Sequence, residues 1–168
     1  MKVLVGLTAL LLAGCGGGAG NDTVPAAESG SAGARLEEAA VAQGLVPDPA
    51  ATTLAGAWAR DTDRACIVDG AGGVQRIGIL SDYGDGQDCS GAGVLERRGE
   101  RLRITIGECR IDARFDGERI IFPGEVGSAC AALCRGRASL AAFAVERQSD
   151  SASEAATLRG RDGRRLCG

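Results

Sequence analysis

Arg101-Leu102-Arg103-Ile104-Thr105-Ile106-Gly107-Glu108-Cys109-Arg110-Ile111-Asp112-Ala113-Arg114-Phe115 is the stretch that decides the fold. Residues 101–106 alternate polar and apolar, and residues 109–115 do so again, the period-two pattern of strands with one buried face. Gly107-Glu108 between them suits a two-residue turn, with glycine where a positive φ is needed. The register follows. Ile106 faces Cys109, Ile104 faces Ile111 and Leu102 faces Ala113, all six on one side, while Arg103 falls opposite Asp112 on the other.

Working outward, Asp116-Gly117 is a second hairpin signal, which would put Ala113 beside Ile120 and Ile111 beside Phe122. Upstream, Gly99-Glu100 folds residues 94–98 back, placing Leu95 beside Ile104 and Glu96 beside Arg103. Arg103 then lies between two acids, a cross-strand arrangement worth a few tenths of a kcal/mol per pair. A one-residue slip would turn every apolar side chain outward, so agreement between hairpins supports the register. Further strands are expected at 54–60, 65–69, 74–80 and 140–147, with the turn Gly70-Ala71-Gly72-Gly73 between the second and third. A helix is expected at 34–43, ended by Gly44 with Pro47 beyond, and another from the capping box Ser151-Ala152-Ser153-Glu154 to Gly160. Seven or eight short strands joined by tight turns predict a mainly β fold. Its expected form is a small antiparallel up-and-down barrel with short flanking helices and disulfides.

The rest of the chain places this domain in a cell. Lys2 is followed by an apolar run over residues 3–12 and then by Leu12-Ala13-Gly14-Cys15. A positive start, a short apolar stretch and small residues before a cut site describe an export signal, too short to span a bilayer. The motif resembles the lipobox of bacterial lipoproteins, in which the cysteine is acylated and the signal peptide cut before it. The expected organisation is a signal peptide over 1–14, acylated Cys15 with a flexible tether to residue 33, and a barrel domain over 34–168 with a cysteine-containing C-terminal extension. Residues 16–33, rich in Gly, Ala and Ser, would hold the domain roughly 20–25 Å from the lipid. Gly16 after the anchor, with no Asp to resemble the inner-membrane retention signal of enteric bacteria, implies the outer membrane, facing the periplasm.

Six further cysteines, Cys66, Cys89, Cys109, Cys130, Cys134 and Cys167, are an even number in an exported domain and imply disulfides, with fifteen possible pairings. A zinc site is the competing reading, but Cys130-x3-Cys134 has no second such pair, and the chain has no histidine. Neither a metal nor another cofactor is expected.

Leu54-Ala55-Gly56-Ala57-Trp58, Cys66, Cys89 and the run from Gly99 to Ile106 come in an order that resembles the small bacterial metalloprotease inhibitors. The resemblance covers about residues 52–122. It implies a lipocalin-like eight-stranded barrel, a Cys66–Cys89 disulfide, Trp58 plugging one end of the barrel, and a protease as partner. In that family the free N-terminal segment reaches the protease zinc, whereas an acylated Cys15 would hold that end at a membrane.

Composition removes many functions. The 168 residues carry a net charge of −3, without the basic excess of a nucleic-acid binder. The absence of histidine excludes Ser-His-Asp and Cys-His catalysis, and Lys2, the sole lysine, leaves no Schiff-base or phosphate-loop lysine downstream of the signal. Paired-carboxylate catalysis survives, but few aromatics are available to line a sugar cleft. No catalytic residue is therefore assigned.

Two surface features stand out. The acidic Ser81-Asp82-Tyr83-Gly84-Asp85-Gly86-Gln87-Asp88 stretch offers oxygen ligands but fails the EF-hand spacing and reads as a solvated turn. Arg97, Arg98, Arg101, Arg103 and Arg114 form a basic strip on the meander, either a solvated face or a partner-binding one. The expected function is a lipid-anchored envelope protein with a non-enzymatic protein-binding barrel, protease inhibition being what the resemblance implies. The alternative is a structural or small-ligand-binding envelope module.

Overall fold

A computed structural model describes residues 31–168. Eight antiparallel strands run in sequence order around a closed barrel: β1 (Gly56–Arg60), β2 (Asp63–Asp69), β3 (Gln75–Asp82), β4 (Asp88–Arg98), β5 (Arg101–Ile106), β6 (Cys109–Phe115), β7 (Arg119–Ile121) and β8 (Ala144–Ser149), with β8 returning to β1. Closure removes every sheet edge, so a chain with few aromatics and short strands still satisfies its ladder hydrogen bonds.

The central hairpins take the expected register. Ile106 pairs with Cys109, Ile104 with Ile111, Leu102 with Ala113 and Arg103 with Asp112, while β4 brings Leu95 to Ile104 and Glu96 to Arg103. Gly107 adopts φ 57° in the β5–β6 turn. Inward side chains from all eight strands, among them Trp58, Ile67, Ile79, Leu95, Ile104, Ile111, Phe115, Ile120 and Val145, fill the interior and are almost fully buried.

The β6–β7 hairpin differs. Phe115 pairs with Ile120 and Arg114 with Ile121, two residues along from the expected pairing of Ala113 with Ile120. Asp116 causes the slip. Its Oδ1 accepts from the Glu118 and Arg119 N–H groups at 3.1 and 2.8 Å, winding residues 116–119 into a longer loop than Asp-Gly alone would form. Because the slip is two residues, each side chain keeps its face. Burial alone would raise the Asp116 carboxyl, but the backbone N–H groups of Arg119 and Glu118 and the Arg119 guanidinium hold it below the usual carboxylate range. A carboxyl depressed on folding contributes stability above its unfolded value, near pH 4, and loses it as pH falls through the folded value. Asp116→Ala is therefore expected to lower stability by about 1–2 kcal/mol at pH 7. In denaturant titrations repeated down the pH scale, that difference should shrink below about pH 4.

The helices are displaced from expectation. Helix α1 spans Ala32–Ala42 rather than starting at 34, because the Ser31 hydroxyl accepts from the Ala34 N–H at 3.2 Å and caps it earlier. Residues 32 and 33 of the expected tether therefore belong to helix α1, and its residues from 16 to 30, like the expected signal peptide and Cys15, lie outside the described residues. Helix α2 (Ala152–Ala155) is a single turn capped by Ser151 on the Glu154 N–H and stops well before Gly160. Beyond it, Leu166 N–H donates to the Leu158 carbonyl and Gly160 N–H to the Arg164 carbonyl, so a small hairpin replaces further helix.

This C-terminal strap builds a second apolar cluster outside the barrel. Cys66, Ala155, Leu166 and Cys167 are buried together, with Val68, Leu80 and Leu158 packed around them. Gly78 on β3 makes room, since a Cβ there would overlap the Leu166 side chain and the Cys66 sulfur.

Candidate functional site

The barrel has two differently built ends. At one lie the β2–β3, β4–β5 and β6–β7 turns and the entry of the chain into β1. There Trp58 is 1% exposed, donates from Nε1 to the Leu54 carbonyl at 3.0 Å and meets Phe115 edge-on at 5.9 Å between centroids. Two arginines lie over these rings. Arg147 Cζ sits 4.2 Å from the Trp58 centroid and Arg97 Cζ 5.1 Å from that of Phe115, geometry in which a cation is attracted to the ring face. Both then grip the incoming chain. Arg97 Nη1 donates to the Thr52 carbonyl at 2.6 Å, and Arg147 donates to the carbonyls of Thr53 and Ala55. Burial lowers the Arg147 pKa from its ordinary value, a shift opposed by the nearby Asp150 charge. Arg97 therefore does not belong to the outer basic strip. It follows Leu95 by two residues and shares its inward face, as Arg147 follows Val145. That alternation was the available signal for both inward arginines, and for Arg147 as a residue missed by the sequence reading.

The opposite end is covered by residues 122–143. A 3-10 helix over Ser128–Leu133, for which the sequence offers no period, lies across it. Two disulfides fasten this lid, Cys109–Cys130 from the start of β6 and Cys89–Cys134 from the start of β4. Beneath it Phe122 and Phe143 pack 4.7 Å apart with Leu140 buried beside them.

The third disulfide joins Cys66 to Cys167 on the C-terminal strap. The Cys66–Cys89 pairing implied by the resemblance is thus not the one formed. Cys89 lies in the barrel core, whereas Cys66 lies in the outer cluster, between the inward-facing Ala65 and Ile67. Adjacent strands also place Cys66 opposite Gly78 but Cys89 opposite Ser81. Opposite faces and a three-residue offset keep the two sulfurs apart.

The acidic stretch at 81–88 closes the β3–β4 hairpin. Asp82 Oδ1 accepts from the Gly84 N–H at 2.9 Å, Asp88 pairs with Arg161 at 2.7 Å, and Ser81 donates to Asp63, whose other oxygen accepts from the Ala144 N–H. These oxygens serve the turn, the strap and the β2–β8 side of the lid rather than converging on one point.

The remaining strip residues share the outer face of the meander. Cross-strand pairing sets Arg98, Arg101 and Arg114 side by side on β4, β5 and β6, and the next row reads Glu96, Arg103, Asp112. Arg103 pairs with Asp112 at 3.3 Å and Arg114 with Glu100 at 3.7 Å, while Arg98 and Arg101 have no acid within 4.0 Å among the described residues. Both rows line an open groove of about 1020 Å³, walled on one side by Ile121, Phe122 and Pro123. That apolar wall was not anticipated, because it depends on the β6–β7 slip that sets Ile121 beside Arg114. The chain matches no protein-family model, no curated protein and no solved structure.

Proposed function

We propose that this chain is a lipid-anchored cell-envelope protein, held by acylated Cys15 at the outer membrane and facing the periplasm, whose barrel binds another protein through its outer surface. The observation that carries the reading is the combination of a filled interior with a charged, partly apolar groove outside it. Trp58, Phe115 and the strand isoleucines occupy the space in which a small-molecule carrier would hold cargo, and the disulfide-fastened lid covers the far mouth. The chemistry left by the composition, without histidine or a second lysine, favours binding over catalysis.

A protease is the partner that the landmark order at 54–106 suggests. The module would present its groove and lid rather than a free N-terminus, because acylated Cys15 would hold that end at the membrane. Purified acylated protein should slow a serralysin-type or a serine protease when added in micromolar excess. No slowing of either class would remove inhibition from the proposal. Capture of a defined periplasmic protein by the acylated chain would then test the broader binding role.

A further inference from the structure

The row Arg98–Arg101–Arg114 is an odd thing for folding alone to keep. Neighbouring strands lie about 4.8 Å apart, so three guanidinium stems stand side by side, and like charges directly opposite destabilise a sheet. The next row shows the ordinary solution, an arginine between two acids. All three arginines of the unrelieved row are exposed, and Glu100 offsets Arg114 alone. The row then ends on Ile121, beside Pro123 in the same groove.

Resting on the protein-binding reading above, we infer that this row is the recognition element of the groove and that its occupant is an acidic protein segment. Such a segment would set carboxylates on Arg98 and Arg101 and an apolar side chain against Ile121 and Pro123. Arginine forks match carboxylates in bidentate geometry, and both forks are open to solvent. The groove favours a protein segment over an anionic lipid surface. A flat sheet of headgroups would press on Glu96, Glu100 and Asp112 as much as on the arginines, and it would leave the apolar wall unused. A polypeptide can place an acid, a neutral and an apolar side chain at chosen points.

This assignment carries two opposite signs that a merely solvated face would not. Arg101 has an arginine on either side, so Arg101→Gln removes two like-charge neighbours and is expected to raise Tm by about 1–4 °C. The same change should weaken an acidic ligand about fivefold, the equivalent of ~1 kcal/mol for one exposed ion pair. Arg164→Gln, on the C-terminal strap away from the groove and paired there with Asp162, should leave binding within about twofold.

The test is fluorescence anisotropy of the full acylated chain with a labelled twelve-residue peptide carrying glutamates and one leucine. A glutamine-for-glutamate peptide and phosphatidylglycerol vesicles serve as the other arms. The inference expects saturable binding of the glutamate peptide alone, weakened at least tenfold at 0.5 M salt, and the fivefold loss in Arg101→Gln with its raised Tm. Equal binding of the glutamine peptide, an unaffected Arg101→Gln, or displacement of the peptide by vesicles would overturn it. If protease inhibition or partner capture persists unchanged in Arg98→Gln/Arg101→Gln, the row assignment falls while the binding role stands.

Discussion

Removing the Cys66–Cys167 disulfide by replacing both residues with alanine should cost about 4–5 kcal/mol, the largest loss expected from any single covalent change in this domain. The bridge closes a loop of 101 residues, and the chain entropy it withholds from the unfolded state grows with the logarithm of loop length. By the same relation the 21-residue Cys109–Cys130 loop is worth about 3 kcal/mol and the 45-residue Cys89–Cys134 loop about 4 kcal/mol. The three losses should also differ in kind. Cys167 lies on the strap beyond β8, and its partners Ala155, Leu166 and Leu158 form a cluster separate from the barrel core. Loss of that bridge should expose the strap to proteolysis while the barrel remains folded. Loss of either lid disulfide should expose residues 122–143 instead. Urea titration with limited proteolysis separates these cases, and a strap that stays protected without its disulfide would show that the outer cluster alone holds it.

Trp58→Ala is expected to cost about 3–5 kcal/mol, the range for truncating a large buried aromatic. The loss has three sources on one ring: burial, the edge contact with Phe115 and the stacked Arg147 guanidinium. The Leu54 carbonyl would also lose its indole donor. Trp58→Phe keeps a ring for Arg147 and the interior volume nearly filled, so about 1–2 kcal/mol is expected there. Circular dichroism during urea unfolding would measure both variants. An alanine variant within 1 kcal/mol of the parent would mean that the ring does not close this end.

The parts of this molecule legible in its sequence are those set by neighbours along the chain. Residues 101–115 announce their register because alternation and a two-residue turn leave one arrangement with all apolar side chains inward, and Leu95 beside Ile104 follows from the next turn. The β6–β7 slip was not legible. It depends on the Asp116 carboxylate choosing two backbone N–H groups over a tight turn, a local contest that composition does not decide. The lid carries no period because disulfides rather than a buried helical or strand face hold it in place. Cysteine pairing was illegible for a related reason. Cys66 and Cys89 face opposite sides of the sheet, and only the path of the strap brings Cys167 to the outer one. The basic strip was legible as a strip. Which of its members faced inward could have been read from Arg97 standing two residues after Leu95.

The central proposal is that the barrel is filled by its own side chains, is held at the envelope by acylated Cys15, and acts through its surface. Native mass spectrometry of the protein released from its own membranes tests this most directly. The proposal predicts acyl chains on Cys15, a mass six hydrogens below that of the fully reduced chain for three disulfides, and no bound small molecule. A stoichiometric small molecule that leaves only on unfolding, or an unmodified Cys15 with free thiols elsewhere, would contradict it.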